Sequence, residues 1–176
     1  MTIDDVKAWL RERGTETIDH PGGTLYAHLG RVHDRLRALG HGPDVCLAGL
    51  THAAYGTDGF DRTLLDVGDR APLRRLIGER AEGLVHLYGA CDRSRTWPDL
   101  PKTRQVWNRW TNAAEALPDD LVPGFADLTI VNELDVVEHD VTVAQRYGSY
   151  FRTTFTSWQG LASEPMLAEA RRVFAA

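Results

Sequence analysis

The 176-residue sequence contains no apolar run approaching the roughly 20 residues that a membrane-spanning helix needs, and its start, MTIDDVKAWL, reads as amphipathic rather than as a signal peptide. A cytoplasmic chain without a membrane partner is expected. Cysteine is scarce: Cys46 and Cys91 form neither a CxxC pair nor a secreted-type spacing, which excludes a disulfide framework and leaves two reduced core thiols. Lysine is nearly missing, with Lys7 and Lys102 beside 18 arginines, and the net charge of −5 is spread along the chain. No basic cluster or stripe of the kind a phosphate backbone demands is present, so nucleic acid is not an expected partner. The chain also lacks a GxSxG elbow, a P-loop and a GxGxxG turn, which disfavours serine- or cysteine-triad chemistry and leaves Gly22-Gly23 as a loop before a helix.

What is present, 43% hydrophobic residues without repeats or low-complexity tracts, suits one compact all-α domain over residues 1–176. Ile3, Val6, Trp9 and Leu10 predict a helix over 2–13 that ends at Gly14. Thr24 is placed to cap a second helix through Leu25, Leu29, Val32, Leu36 and Leu39, with Gly40 as its stop. Pro43 starts a third, whose inward face, Val45, Ala48, Gly49 and His52, consists mainly of small residues. YGTDGF reads as a loop, and Ala71–Ile77 and Glu79–Cys91 as two helices around Gly78. Between Ser94 and Ala116 the alternation in QVWNRW fits a short β-hairpin near 103–112 or a short helix. Helical spacing resumes over Pro118–His139, with Pro123 and Gly124 positioned to delay its start, and again over Pro165–Phe174.

Three polar residues stand where these patterns place core. His28 follows Leu25 by three and precedes Val32 by four; His52 follows Ala48 and Gly49; Asp135 follows Leu128 and Val131. Two imidazoles and a carboxylate suit a divalent metal with open coordination positions. Each histidine can equally be a hydrogen-bonded core residue, and Asp135 can pair with an arginine such as Arg93 in a structural ion pair.

The order of an early histidine, a second histidine 24 residues on at the end of an AGLTH helix, and a late aspartate in ELD resembles the HD superfamily of helical metal-dependent phosphohydrolases, over about residues 20–140. The nearest likeness is to the hydrolase domain of the bifunctional guanosine tetraphosphate enzymes, where the second helix reads A-x-L-L-H-D. The resemblance implies an HD-like bundle, a metal held by His28, His52 and Asp135 (manganese, iron or zinc), and hydrolysis of a phosphate-containing small metabolite. The departure lies at Ala53, where the family carries its defining aspartate. That loss argues against a dinuclear site. It leaves either a mononuclear site or a metal-free pocket running lyase, cyclase or isomerase chemistry on the same residues. An iron-dependent oxygenase and a non-catalytic ligand-binding module are further alternatives, and a homo-oligomer is compatible with all of them.

Other residues extend the candidate site. Tyr55, expected to bind substrate, falls with Thr57 and Asp58 in the loop after His52, where Asp58 either supplies the missing acid or forms a turn with Gly59. His86, between apolar neighbours, is a candidate acid, base or core histidine. Arg93 and Arg95 can fork onto an anionic substrate or cap a helix end. Asn132 is expected to bind substrate or orient a ligand, and His139 to do the same or face water. His20 can reach a pocket mouth, although nothing in the sequence fixes its direction. His33 and His41 read as exposed. Trp97, Trp107, Trp110, Tyr147, Tyr150, Phe151 and Trp158 either line an apolar pocket or pack as core.

Overall fold

The computed structural model describes residues 2–60 and 62–174. The chain is mostly helical, with two small antiparallel hairpins among the described residues, and divides into two compact units, Met1–Gly89 and Ala90–Ala176.

The first unit opens with α1 (Ile3–Glu12), where Thr2 and Asp5 form a reciprocal cap: Thr2 N donates to Asp5 Oδ2 at 2.7 Å and Asp5 N to Thr2 Oγ1 at 3.3 Å. Its buried face is narrower than the sequence suggests, because Val6 and Leu10 are covered while Ile3 is exposed. A 3-10 turn at Thr15–Thr17 leads into a hairpin of β1 (Asp19–His20) and β2 (Gly23–Thr24). Thr24 then caps α2 (Leu25–Ala38) by accepting from Ala27 N. After Gly40, α3 (Pro43–Thr51) starts on proline and packs closely against α2. A Cβ at Gly49 would lie 2.5 Å from Leu36 Cδ1, so any larger residue here would require the Leu36 side chain to move. Two further helices, α4 (Ala71–Ile77) and α5 (Glu79–Ala90), match the pair expected around Gly78.

The second unit begins with two single turns, α6 (Arg93–Thr96) and α7 (Leu100–Thr103). The expected hairpin follows as β3 (Gln105–Asn108) and β4 (Ala113–Ala116), four residues further along than its predicted end, with Val106 paired to Glu115 and Trp107 to Ala114. The helix α8 (Val122–His139) takes Pro123 into its first turn, where the missing N–H costs no helical bond. Every residue from Phe125 to Asp135 is buried, so α8 has no solvent face over three turns. Two helices pack on it, α9 (Val141–Thr156) and α10 (Glu164–Phe174). The sequence reading assigns no element to α9. Its start signal is Asp140, which accepts from Thr142 N and Val143 N, but its interior is rich in threonine and aromatics, residues that lose rotamer freedom in a helix. Tertiary packing supplies what propensity does not. Phe151, Phe155, Trp158 and Phe174 interlock with Trp97, and Trp158 Nε1 donates to the Trp97 carbonyl at 3.3 Å. Part of the aromatic set is therefore core, whereas Tyr147 and Tyr150 are exposed.

Candidate functional site

The two candidate histidines of the first unit meet. His28 projects from the apolar stripe of α2 and is fully buried; His52 caps the end of α3 and is 2% exposed. Their Nε2 atoms lie 3.3 Å apart, with the rings nearly perpendicular at 82°. The close contact of α2 with α3 at Gly49 makes this separation achievable. Gly49 also supplies the carbonyl that orients His52, whose Nδ1 donates to it at 2.8 Å. A neutral His52 with its proton on Nδ1 carries a lone pair on Nε2, so His28 Nε2–H is the donor across the pair. Tyr88 of α5 stands edge-on to the His52 ring, with centroids 5.3 Å apart. His20 stacks on His28 at 3.9 Å and meets Phe60 edge-on at 5.5 Å.

The first unit also holds a buried charge cluster that the sequence reading missed. Glu82 of α5, fully buried, accepts from Arg70 Nε and a terminal Arg70 nitrogen, both at 2.7 Å, from Arg74 Nε at 3.0 Å and from the Tyr55 hydroxyl at 2.8 Å. Burial alone would raise its carboxyl, but the bonds from Arg70, Arg74 and Tyr55 outweigh burial and hold it below the usual range. Burial, then the Glu82 carboxylate, pushes the Tyr55 phenol far above its ordinary value, so Tyr55 remains a hydroxyl donor. The hydroxyl expected to bind substrate is thus engaged with Glu82, while the Tyr55 ring stands edge-on to His86 at 5.6 Å. The sequence signal for Glu82 is a charged residue two positions before the apolar Leu84–Tyr88 run.

Asp58 is half-buried in a tight turn closed by mutual backbone bonds between Thr57 and Phe60, both 2.9 Å, which is the turn-forming role of Asp-Gly. His33 is a correction: the helical wheel places it toward solvent, yet it is buried at 5% exposure. Its Cα lies 3.8 Å from the point where a Gly49 Cβ would stand, so the close approach of α3 covers it. His41 is half-buried rather than exposed, near the turn that joins α2 to α3. Cys46 and Cys91 are buried free thiols, and burial pushes the Cys46 thiol up, keeping it protonated.

The remaining candidates belong to the second unit. Asp135 is buried on α8, and His139 one turn on donates from Nδ1 to the Asp135 carbonyl at 2.7 Å, with Asp135 Oδ1 3.6 Å away. Arg93 and Asn132 are brought together on Glu133, which accepts from Arg93 at 2.9 Å and from Asn132 Nδ2 at 2.8 Å. Arg93 forms an ion pair with Glu133, two residues before Asp135 on the same helix. Arg95 lies over the Trp107 ring at 4.6 Å.

The donors can be tested against a metal. Two nitrogens bound to one tetrahedral zinc at about 2.05 Å would stand about 3.3 Å apart, which matches the His28–His52 separation. The Nδ1–H bond from His52 to a backbone carbonyl is also the outer contact that ligating histidines make. Among the described residues, however, no group of three or more His, Cys, Asp or Glu side chains is placed to share one ion. His28 and His52 would supply two of the donors a metal needs, and no third such side chain is grouped with them among the described residues.

Residues 9–93 match the model of a family described as a domain of unknown function, DUF6817. That stretch contains His28, His52 and the Glu82 cluster. No curated protein and no solved structure matches the chain. No helix among the described residues is long and apolar enough to cross a membrane.

Proposed function

We propose that the protein is a small-molecule enzyme whose working centre is the His28–His52 pair, acting as a general acid and base. The observation that carries the reading is the 3.3 Å contact between the two Nε2 atoms, with the His52 tautomer set by the Gly49 carbonyl. The His28 Nε2–H and the His52 Nε2 lone pair face each other, so a substrate that enters between the rings would meet one proton donor and one base. Elimination, cyclisation and isomerisation each require a proton to leave one atom and arrive at another. Burial serves this chemistry by excluding competing water. Ala53, where the resembled HD superfamily carries an aspartate, favours the same reading because it removes an anionic ligand beside His52.

The second reading keeps the hydrolase activity that the HD resemblance implies, and the zinc-like spacing of the two nitrogens favours it. There His28 and His52 would hold a divalent ion that lowers the pKa of bound water.

Two probes separate the readings, each assayed with and without EDTA. The first, 5-nitrobenzisoxazole, opens when a base removes one carbon-bound proton; the second, bis(4-nitrophenyl) phosphate, is a hydrolase substrate. The expected result is proton removal above the buffer rate that survives chelation. Phosphodiester turnover that EDTA abolishes and one equivalent of zinc or manganese restores would install the hydrolase reading. Turnover of neither probe would favour a ligand-binding module.

A further inference from the structure

The geometry points to His20 as a positioning residue of the histidine pair, a third imidazole that covers His28 and fixes the plane in which its Nε2 faces His52. The inference rests on the reading of His28–His52 as the working centre and adds to it the element that holds and shields it.

The His20 ring lies nearly parallel to that of His28, with centroids 3.9 Å apart and planes inclined by 23°. His52 meets His28 edge-on at 82°, so one face of His28 is covered by His20 while its edge is directed at His52. A ring that rotated about its side-chain bond would lose both contacts together. His20 is also only half-buried, whereas His28 and His52 are fully buried, so it forms the outer layer of the array, with Phe60 set edge-on beside it at 5.5 Å.

The segment carrying His20 is fastened to the helix that carries His28. In the β1–β2 hairpin, His20 pairs with Gly23, and Gly22 and Gly23 have φ of 78° and 127°, a reversal that only glycine makes without strain. Arg31, on α2 one turn beyond His28, donates to the carbonyls of Pro21 at 3.0 Å and Gly22 at 3.3 Å, binding the tip of the hairpin. Leu25 N donates to the Ile18 carbonyl at 2.8 Å, closing its base. His20 is therefore held over His28 from both ends, and the sequence between them, HPGGT, is short enough to act as one rigid cover.

The test uses the full chain and needs no substrate. Diethyl pyrocarbonate acylates accessible imidazoles, and peptide mass mapping gives a separate rate for each histidine. His33, buried on α2 but outside this array, reports general unfolding. In the wild type, His28 and His52 are expected to react slowly. The His20→Ala variant removes the cover, and Arg31→Ala releases the hairpin while leaving His20 in place; each is expected to raise the His28 rate about tenfold or more, as local opening does, with His33 unchanged. His20→Phe keeps a flat ring on His28 and is expected to restore the wild-type rate and the wild-type imidazole 15N shifts of His28. The inference is overturned if His28 labelling in His20→Ala equals that of wild type, if His33 labelling rises in parallel, or if His20→Phe behaves like His20→Ala. Labelling reads access and ring order rather than turnover. An inactive pair would leave this result standing, and an active pair could coexist with its failure.

Discussion

Replacing Glu82 by alanine is expected to cost roughly 3–5 kcal/mol of stability, the range for breaking a buried ion pair from one side. Glu82 is fully buried and accepts four hydrogen bonds, so its removal leaves Arg70, Arg74 and Tyr55 without their common acceptor. The Arg70 and Arg74 side chains retain 29% and 43% exposure and can turn partly to water, which places the loss toward the lower end of the range. Urea unfolding followed by far-ultraviolet circular dichroism gives the value. A loss below about 1 kcal/mol would mean that the cluster behaves as a surface ion pair. The same residue sets an acid limit. Its folded pKa is depressed below 4.5, so its stabilisation is complete above pH 4.5 and is lost as pH falls through the folded value. Glu82→Gln is expected to abolish that part of the acid loss.

Replacing His52 by asparagine is expected to lower proton removal from 5-nitrobenzisoxazole by about 10²–10⁴-fold, the share that a positioned acid or base contributes. Asparagine is the informative choice because its Nδ2 stands where the imidazole Nδ1 does and can still donate to the Gly49 carbonyl, keeping the buried hydrogen bond while removing the basic Nε2. Stability is therefore expected to change by no more than about 1.5 kcal/mol. A variant that keeps wild-type turnover would remove His52 from the mechanism. A variant that loses turnover only by unfolding would be recognised from its circular dichroism.

Much of the first unit was legible in the sequence because its punctuation is local. Thr24, Gly40 and Pro43 set the ends of α2 and α3 by capping chemistry, and the spacing around His28 and His52 placed both inside. The meeting of the two rings also followed, since a face of small residues on α3 lets the helices close. What decided the rest was not local. Glu82 reads as an ordinary charge until Arg70, at the N-cap of α4, and Arg74, within it, converge on its carboxylate, and His33 reads as solvent-facing until α3 covers it at Gly49. The direction of His20 depends on a hairpin pinned by Arg31, which no periodicity encodes. The helix α9 escaped notice because its threonines and aromatics have weak helix propensity, and packing against Trp97 and Phe174 compensates for it. In the second unit Arg93 and Asn132 converge on Glu133, and the bond from Arg93 joins residues 40 positions apart, a contact that no local pattern encodes.

The most direct test of the histidine pair is its proton placement, read by long-range 1H–15N correlation of the imidazole nitrogens in the folded protein at neutral pH. The expected spectrum has His52 protonated at Nδ1 with a bare Nε2, His28 protonated at Nε2, and a scalar coupling across the His28–His52 hydrogen bond. His52 protonated at Nε2, or two rings exchanging freely with solvent and showing no coupling, would contradict the account.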